Sequence, residues 1–162
     1  MKIWQMIGFI FVCILGTLLH FLYEWTGNST AAALISAVDE SVWEHMKLMF
    51  YPMVLFAVIE YRKIGGRGFW WVKLTGILVG LFLIPVLYYT YTGALGIRID
   101  WLNVTIFFLS AAVAFFVETR LFLRDKVCPR PQWVAVAIIV LLAIAFTVFT
   151  FRKPDIPLFQ VP

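Results

Sequence analysis

Five apolar segments, each about the length of a bilayer crossing and separated by short breaks, leave this chain few folds to adopt. They run over residues 3–25, 40–61, 69–91, 101–123 and 132–151. A helix needs ~20 residues at ~1.5 Å each to cross a hydrocarbon core. It also pairs its backbone polar groups within one segment, as a medium without water requires. Composition points the same way: 63% of residues are hydrophobic, 14% are charged and mean hydropathy is +0.94, too few polar groups to cover a surface facing water. The expected fold is all-α, a polytopic integral membrane bundle of five transmembrane helices. It forms a single domain over residues 1–162, multi-pass in the cell membrane with the lipid bilayer as its surroundings.

The breaks carry turn chemistry: Gly65-Gly66-Arg67-Gly68, Thr92-Gly93 to Gly96, and Cys128-Pro129-Arg130-Pro131. Trp25, Trp43, Trp70, Trp71, Tyr88, Tyr89, Tyr91, Trp101 and Trp133 cluster at segment ends, as in interfacial belts. Cys13 and Cys128 have no metal-ligand spacing and read as packing residues. The first segment fits a signal peptide only loosely, because the stretch from His20 to Thr30 is long and aromatic, so it is expected to be a retained helix.

Basic residues orient the bundle. With five spans, Lys2, Arg62, Lys63, Arg67, Lys73, Arg120, Arg124, Lys126 and Arg130 fall on one face, and only Lys47, Arg98, Arg152 and Lys153 on the other. The positive-inside rule puts the first face, with the N-terminus, in the cytoplasm and the C-terminus outside. Attraction of basic loops to anionic lipid, roughly 1 kcal/mol per residue, accounts for the net charge of +4 with no nucleic-acid partner.

The only two histidines, His20 and His45, sit with carboxylates at one end of adjacent segments. Ionisable groups at membrane depth are costly and mark function. Between Leu48 and Ile59 the second segment is too short to span by itself, so its helix is expected to include Glu40–Lys47, placing Glu44 and His45 below the interface. Helical phase puts Cys13, Gly16, Thr17, His20, Tyr23 and Glu24 on one inward stripe of the first helix. Glu40, Glu44, Lys47 and Tyr51 share a stripe on the second, with His45 about 100° around. Helices joined by a short loop are usually antiparallel neighbours, so a shared polar pocket is expected.

The residue types suit a divalent metal, with His20, Glu24, Glu44 and His45 as ligands and Glu40 as an outer partner. Zinc fits best, with manganese or iron as alternatives, and a free coordination position would activate water. On a lipid-like substrate, Glu44 or Glu40 would act as general base, while Lys47 or Arg98 would hold a head-group phosphate. Proton- or cation-coupled transport, an accessory role and a structural polar network use the same residues, and a bis-histidine haem is a further option. Five helices are few for a self-contained carrier, which a homo-oligomer could complete. Elsewhere, Gly76-x-x-x-Gly80 reads as close helix packing. Glu60 with Arg62, and Glu118 with Arg120, read as interfacial charge pairs, and the fifth helix reads as a lipid-facing wall.

The stretches His20-Phe-Leu-Tyr-Glu24-Trp-Thr-Gly and Ala-Val-Asp-Glu40-Ser-Val-Trp-Glu44-His45-Met-Lys47 resemble an uncharacterised family of small bacterial membrane proteins. The resemblance lies mainly in the first two helices. It implies a five-helix architecture and no assigned activity.

Overall fold

The computed structural model describes residues 2–124 and 131–161; the expected roles of Lys126, Cys128 and Arg130 lie outside them. Five long helices make up the bundle: α1 (Lys2–Trp25), α3 (Val42–Ile64), α4 (Phe69–Leu95), α5 (Asp100–Leu123) and α6 (Gln132–Phe151). A one-turn helix α2 (Thr30–Ala33) sits in the first connection, and a 3-10 turn, Pro157–Phe159, follows α6. All five long helices are long and apolar enough to cross a membrane, which fits a multi-pass membrane protein. No strand occurs among the described residues.

α3 is the axis. It is the most charged of the five, and it touches α1, α4, α5 and α6. Just over half of its apolar window is buried (56%), against 22% for α1 and α6. The arrangement follows from polarity, since the helix carrying Glu44, Lys47 and Glu60 is the one shielded from lipid, with all three side chains fully buried. By contrast, α1 exposes Ile3, Ile7, Ile10, Ile14 and Leu18 along one side. Its buried stripe is Gln5, Gly8, Val12, Gly16 and Leu19. The inward face is thus rotated part of a turn from the expected one: Gly16 is buried, His20 and Tyr23 are half-buried, and Thr17 and Glu24 are exposed.

Close approach explains the rotation. A side chain at Gly16 would place its Cβ 2.6 Å from the Phe107 ring and 2.9 Å from the Leu48 carbonyl oxygen, so only glycine lets α1 reach both α5 and α3 there. Leu48 O is the acceptor that residue 52 would normally satisfy, and Pro52 has no N–H to offer it. On α4, Gly76 lies against Glu118, and Gly80 against Met49 and Ala114. The Gly76-x-x-x-Gly80 pair is therefore a packing device between α4, α5 and α3. Lipid tails are as apolar as these side chains, so such contacts, with polar pairs, carry helix association in a bilayer.

The second long helix begins two residues later than expected. Ser41 is extended at the N-cap (φ −70°, ψ 153°), its hydroxyl accepts the Glu44 N–H at 3.4 Å, and its own N–H donates to Asp39 Oδ1 at 3.0 Å. Glu40 is thereby held in a turn, off the helix. α1 stops where Gly27 and Asn28 both adopt positive φ (66° and 61°). α4 runs on to Leu95 before Gly96 ends it, four residues beyond the expected stop at residue 91.

Buried polar clusters close both ends. At the N-terminal end, Lys73 of α4 pairs with Glu60 of α3 and with Glu118 of α5 (2.5 Å), and Gln5 Nε2 donates to Glu60 Oε1 at 2.7 Å. The expected Glu60–Arg62 and Glu118–Arg120 pairs are not formed. Residues two apart on a helix do not face each other, so the glutamates point into the bundle while Arg62 is exposed and Arg120 lies 4.9 Å from the centre of the Phe116 ring.

At the opposite end the C-terminal tail folds back. Phe159 and Phe146 pack against Trp43 at ring-centre distances of 4.7 and 4.5 Å, and Lys153 pairs with Asp39. Burial pushes the Asp39 carboxyl up, but hydrogen bonds from Lys153 and Ser41 outweigh it and hold its pKa below the ordinary 3.8.

Candidate metal centre

His20 lies in the last two turns of α1, His45 in the first turn of α3, and Glu40 in the turn just before α3. The two imidazoles are nearly perpendicular (70°), with centres 5.5 Å apart. Glu40 reaches between them, Oε1 3.6 Å from His20 Nε2 and Oε2 3.5 Å from His45 Nε2. The pairing of the two histidines is therefore as the sequence suggests, while the carboxylate that meets them is Glu40.

The two separations are compatible with a shared cation. They are long for hydrogen bonds, which have heavy-atom distances of about 2.7–3.2 Å. Ligands bound at about 2.0–2.2 Å to a tetrahedral zinc stand roughly 3.3–3.6 Å apart, and the two distances here run to different oxygens of Glu40. One ligand atom from each of the three residues falls within a 4.8 Å sphere of separation, the spacing of a set that can share one cation.

The second ring nitrogen adds to this. His45 Nδ1 lies 3.0 Å from the Ser41 carbonyl, which can only accept. Nδ1 thus carries the hydrogen, and in the neutral ring Nε2 presents its lone pair towards Glu40. A backbone carbonyl behind the far ring nitrogen is the usual orienting contact of a metal-binding histidine. The backbone N–H of His45 also donates to Ser41 O, at 3.2 Å, so the N-cap residue fixes both the helix start and the ring.

All three residues line a cavity of about 640 Å³ between α1, α3, α4 and α5. Its wall is apolar around Ile84, Phe107 and Phe108, and Thr17, Tyr88, Arg98, Asp100 and Asn103 add polar groups to it. The Tyr88 side chain is 8% exposed and its hydroxyl has no hydrogen-bond partner among the described residues. Tyr91 anchors the loop that carries Arg98: its hydroxyl donates to Asn103 Oδ1 at 2.5 Å and accepts the Ile99 N–H at 3.5 Å.

The other expected ligands lie elsewhere. Glu24 is exposed at the end of α1 and outside the cluster. Glu44 turns away from the cavity towards α6: Lys47 Nζ is 2.5 Å from its Oε2, which also accepts the Val38 N–H at 3.2 Å. Lys47 is fully buried and donates to Ala33 O and Thr150 Oγ1, both at 2.9 Å, and the Thr150 hydroxyl lies 3.1 Å from Glu44 Oε1. Neither residue lines the cavity, so Glu44 is not available there as ligand or base, nor Lys47 as a head-group anchor; of the two expected anchors, Arg98 is at the site. Thr150 was hidden within a segment that reads as plain wall. Asp100 gave no signal beyond its place at the start of α5.

The family model described as "Family of unknown function (DUF6512)" matches residues 1–161, and the chain belongs to that family. The match covers the whole bundle, well beyond the first two helices. No curated protein and no solved structure matches the chain.

Proposed function

We propose that this protein is a membrane-embedded metalloenzyme that hydrolyses, or transfers a group on, a lipid-like substrate, with one divalent ion held by His20, Glu40 and His45. The observation that carries this reading is the approach of two imidazole nitrogens to one carboxylate, at 3.6 and 3.5 Å, on the wall of a large apolar cavity. A two-histidine, one-glutamate set would leave a position open, and zinc held there would lower the pKa of bound water to near neutrality; manganese and iron accept the same donors.

The chain's own groups divide the remaining work. Arg98 presents a permanent positive charge for a phosphate or carboxylate head group. Ile84, Phe107 and Phe108 accommodate an apolar tail, and the unpartnered Tyr88 hydroxyl supplies a hydrogen bond to a polar linkage. With Glu40 as ligand and Glu44 tied to Lys47, Asp100 is the remaining carboxylate on the cavity wall and would serve as the general base. On the positive-inside rule this reading has the basic N-terminal end in the cytoplasm and the histidine end outside, so that substrate would be drawn from the outer leaflet.

Elemental mass spectrometry on detergent-purified protein tests the reading. Near-stoichiometric zinc, manganese or iron is expected, lost in the His20→Ala/His45→Ala double variant and in Glu40→Ala, and retained in Glu24→Ala. A folded wild type that holds no metal after reconstitution with each ion would overturn it.

A further inference from the structure

We infer that the Glu60–Lys73–Glu118 cluster at the N-terminal end of the bundle is a proton-binding site, with the proton seated on Glu118. This rests on side chains at the far end from the histidines and is independent of any metal there.

Charge count is the first ground. Two carboxylates face a single ammonium, and all three side chains are at most 2% exposed. The rings of Phe56, Phe69, Phe115 and Phe122 surround Lys73 Nζ at 5.5–5.8 Å, which keeps counter-ions out. Among the described residues no other charge pairs with the second carboxylate, and Lys2, Arg67 and Arg124 at this end are exposed. From α1 the neighbour is neutral Gln5; from α3, Arg62 and Lys63 are exposed; from α5, Arg120 stacks on Phe116. α6 contributes no ionisable side chain at this end, and its Gln132 accepts the Trp70 N–H. Two carboxylates sharing one site do not both ionise when nothing neutralises the second, so one takes up a proton.

The contacts on the four carboxylate oxygens say which. Glu60 has a contact on each oxygen: Oε1 accepts a hydrogen bond from the Gln5 amide, and Oε2 is in ion-pair contact with Lys73 without a hydrogen bond. Glu118 has only Oε2 engaged, by Lys73, while its Oε1 is buried against Gly76 with no donor among the described residues. Nearby donors and cations favour a carboxylate's charged form; Glu60 meets them on both oxygens and Glu118 on one, so Glu60 is the ion and Glu118 the acid. Binding takes one proton from water at this end of the bundle and converts the Glu118 carboxylate to a carboxylic acid. Its release leaves Lys73 shared between α3 and α5, whereas its uptake concentrates the ammonium on Glu60.

The test is infrared spectroscopy of the full chain in lipid nanodiscs at neutral pH. Wild type is expected to show the carbonyl stretch of one buried carboxylic acid, shifted in deuterated buffer. The band should vanish in Glu118→Gln. It should also vanish in Glu60→Gln, where one carboxylate per ammonium lets Glu118 ionise, and it should persist in the exposed control Glu24→Gln. A wild type without the band at neutral pH overturns the proposal without recourse to any variant, because a fully ionised triad is then only a lock between helices. A band that survives Glu118→Gln overturns the assignment of the proton.

Discussion

The carbonyl oxygen of Leu48 faces Gly16 of the neighbouring helix so closely that even a methyl group on Gly16 would lie 2.9 Å from it. The same carbonyl has lost its helical donor to Pro52. The one glycine in the second half of α1 and the one proline of α3 thus act on a single point of contact, beside the cavity that both Gly16 and Leu48 line. Gly16→Ala is expected to cost about 1–3 kcal/mol, the usual penalty for overpacking a filled interior. Thermal unfolding in detergent checks this, and a variant as stable as wild type would mean that α1 can slide away from α3.

Metal affinity should respond to the two histidines as one unit. His20→Ala or His45→Ala alone is expected to remove most of the affinity, and the double variant to lose little more. Competition with a chelator measures this, and strictly additive losses would indicate two independent sites.

How much of this was legible before the structure depends on where each residue sits relative to a helix. The spans and the meeting of His20 with His45 follow from length, period and a short connection. The carboxylate does not, because Glu40 precedes the extended N-cap Ser41 and helical phase says nothing about it. Carrying the helix back to residue 40 put Glu40 and Glu44 on one stripe, whereas the turn sends Glu40 towards the histidines and leaves Glu44 facing Thr150. Glu60 and Glu118 were legible in principle. Each lies about a turn from its helix end, as do Gln5 and Lys73, so the four share a level in an antiparallel bundle. Arg62 and Arg120, two residues further on, suggest interfacial pairs instead.

Lys47 and Glu44 form a buried pair that should be costly to break from either side. Lys47→Met or Glu44→Gln is expected to destabilise by about 3–5 kcal/mol, since each leaves its partner uncompensated, and the double variant by less than the sum. Metal content per folded protein should stay at the wild-type level in both. Chemical denaturation with metal analysis on the folded fraction checks the two parts together.

Acid should loosen the tail. The folded Asp39 pKa lies below its ordinary value, so its contribution to stability is complete above that value and is lost as pH falls through the folded one. The window therefore lies below about pH 4. Between pH 7 and that window Asp39 contributes no slope. Asp39→Asn is expected to flatten the acid limb of the unfolding curve, and Lys153→Ala to reduce it. The effect should be small, because both side chains are partly exposed. A limb unchanged in Asp39→Asn would assign acid sensitivity to other carboxylates.

The returning tail has a practical consequence. Val161 lines the cavity, so anything joined after it begins at the cavity that His20, Glu40 and His45 also line. A polyhistidine tag at that position would bring surplus imidazoles to the site and compete for the ion it is meant to report. The N-terminal end of α1, a full helix length away, is where a purification handle leaves the metal analysis clean.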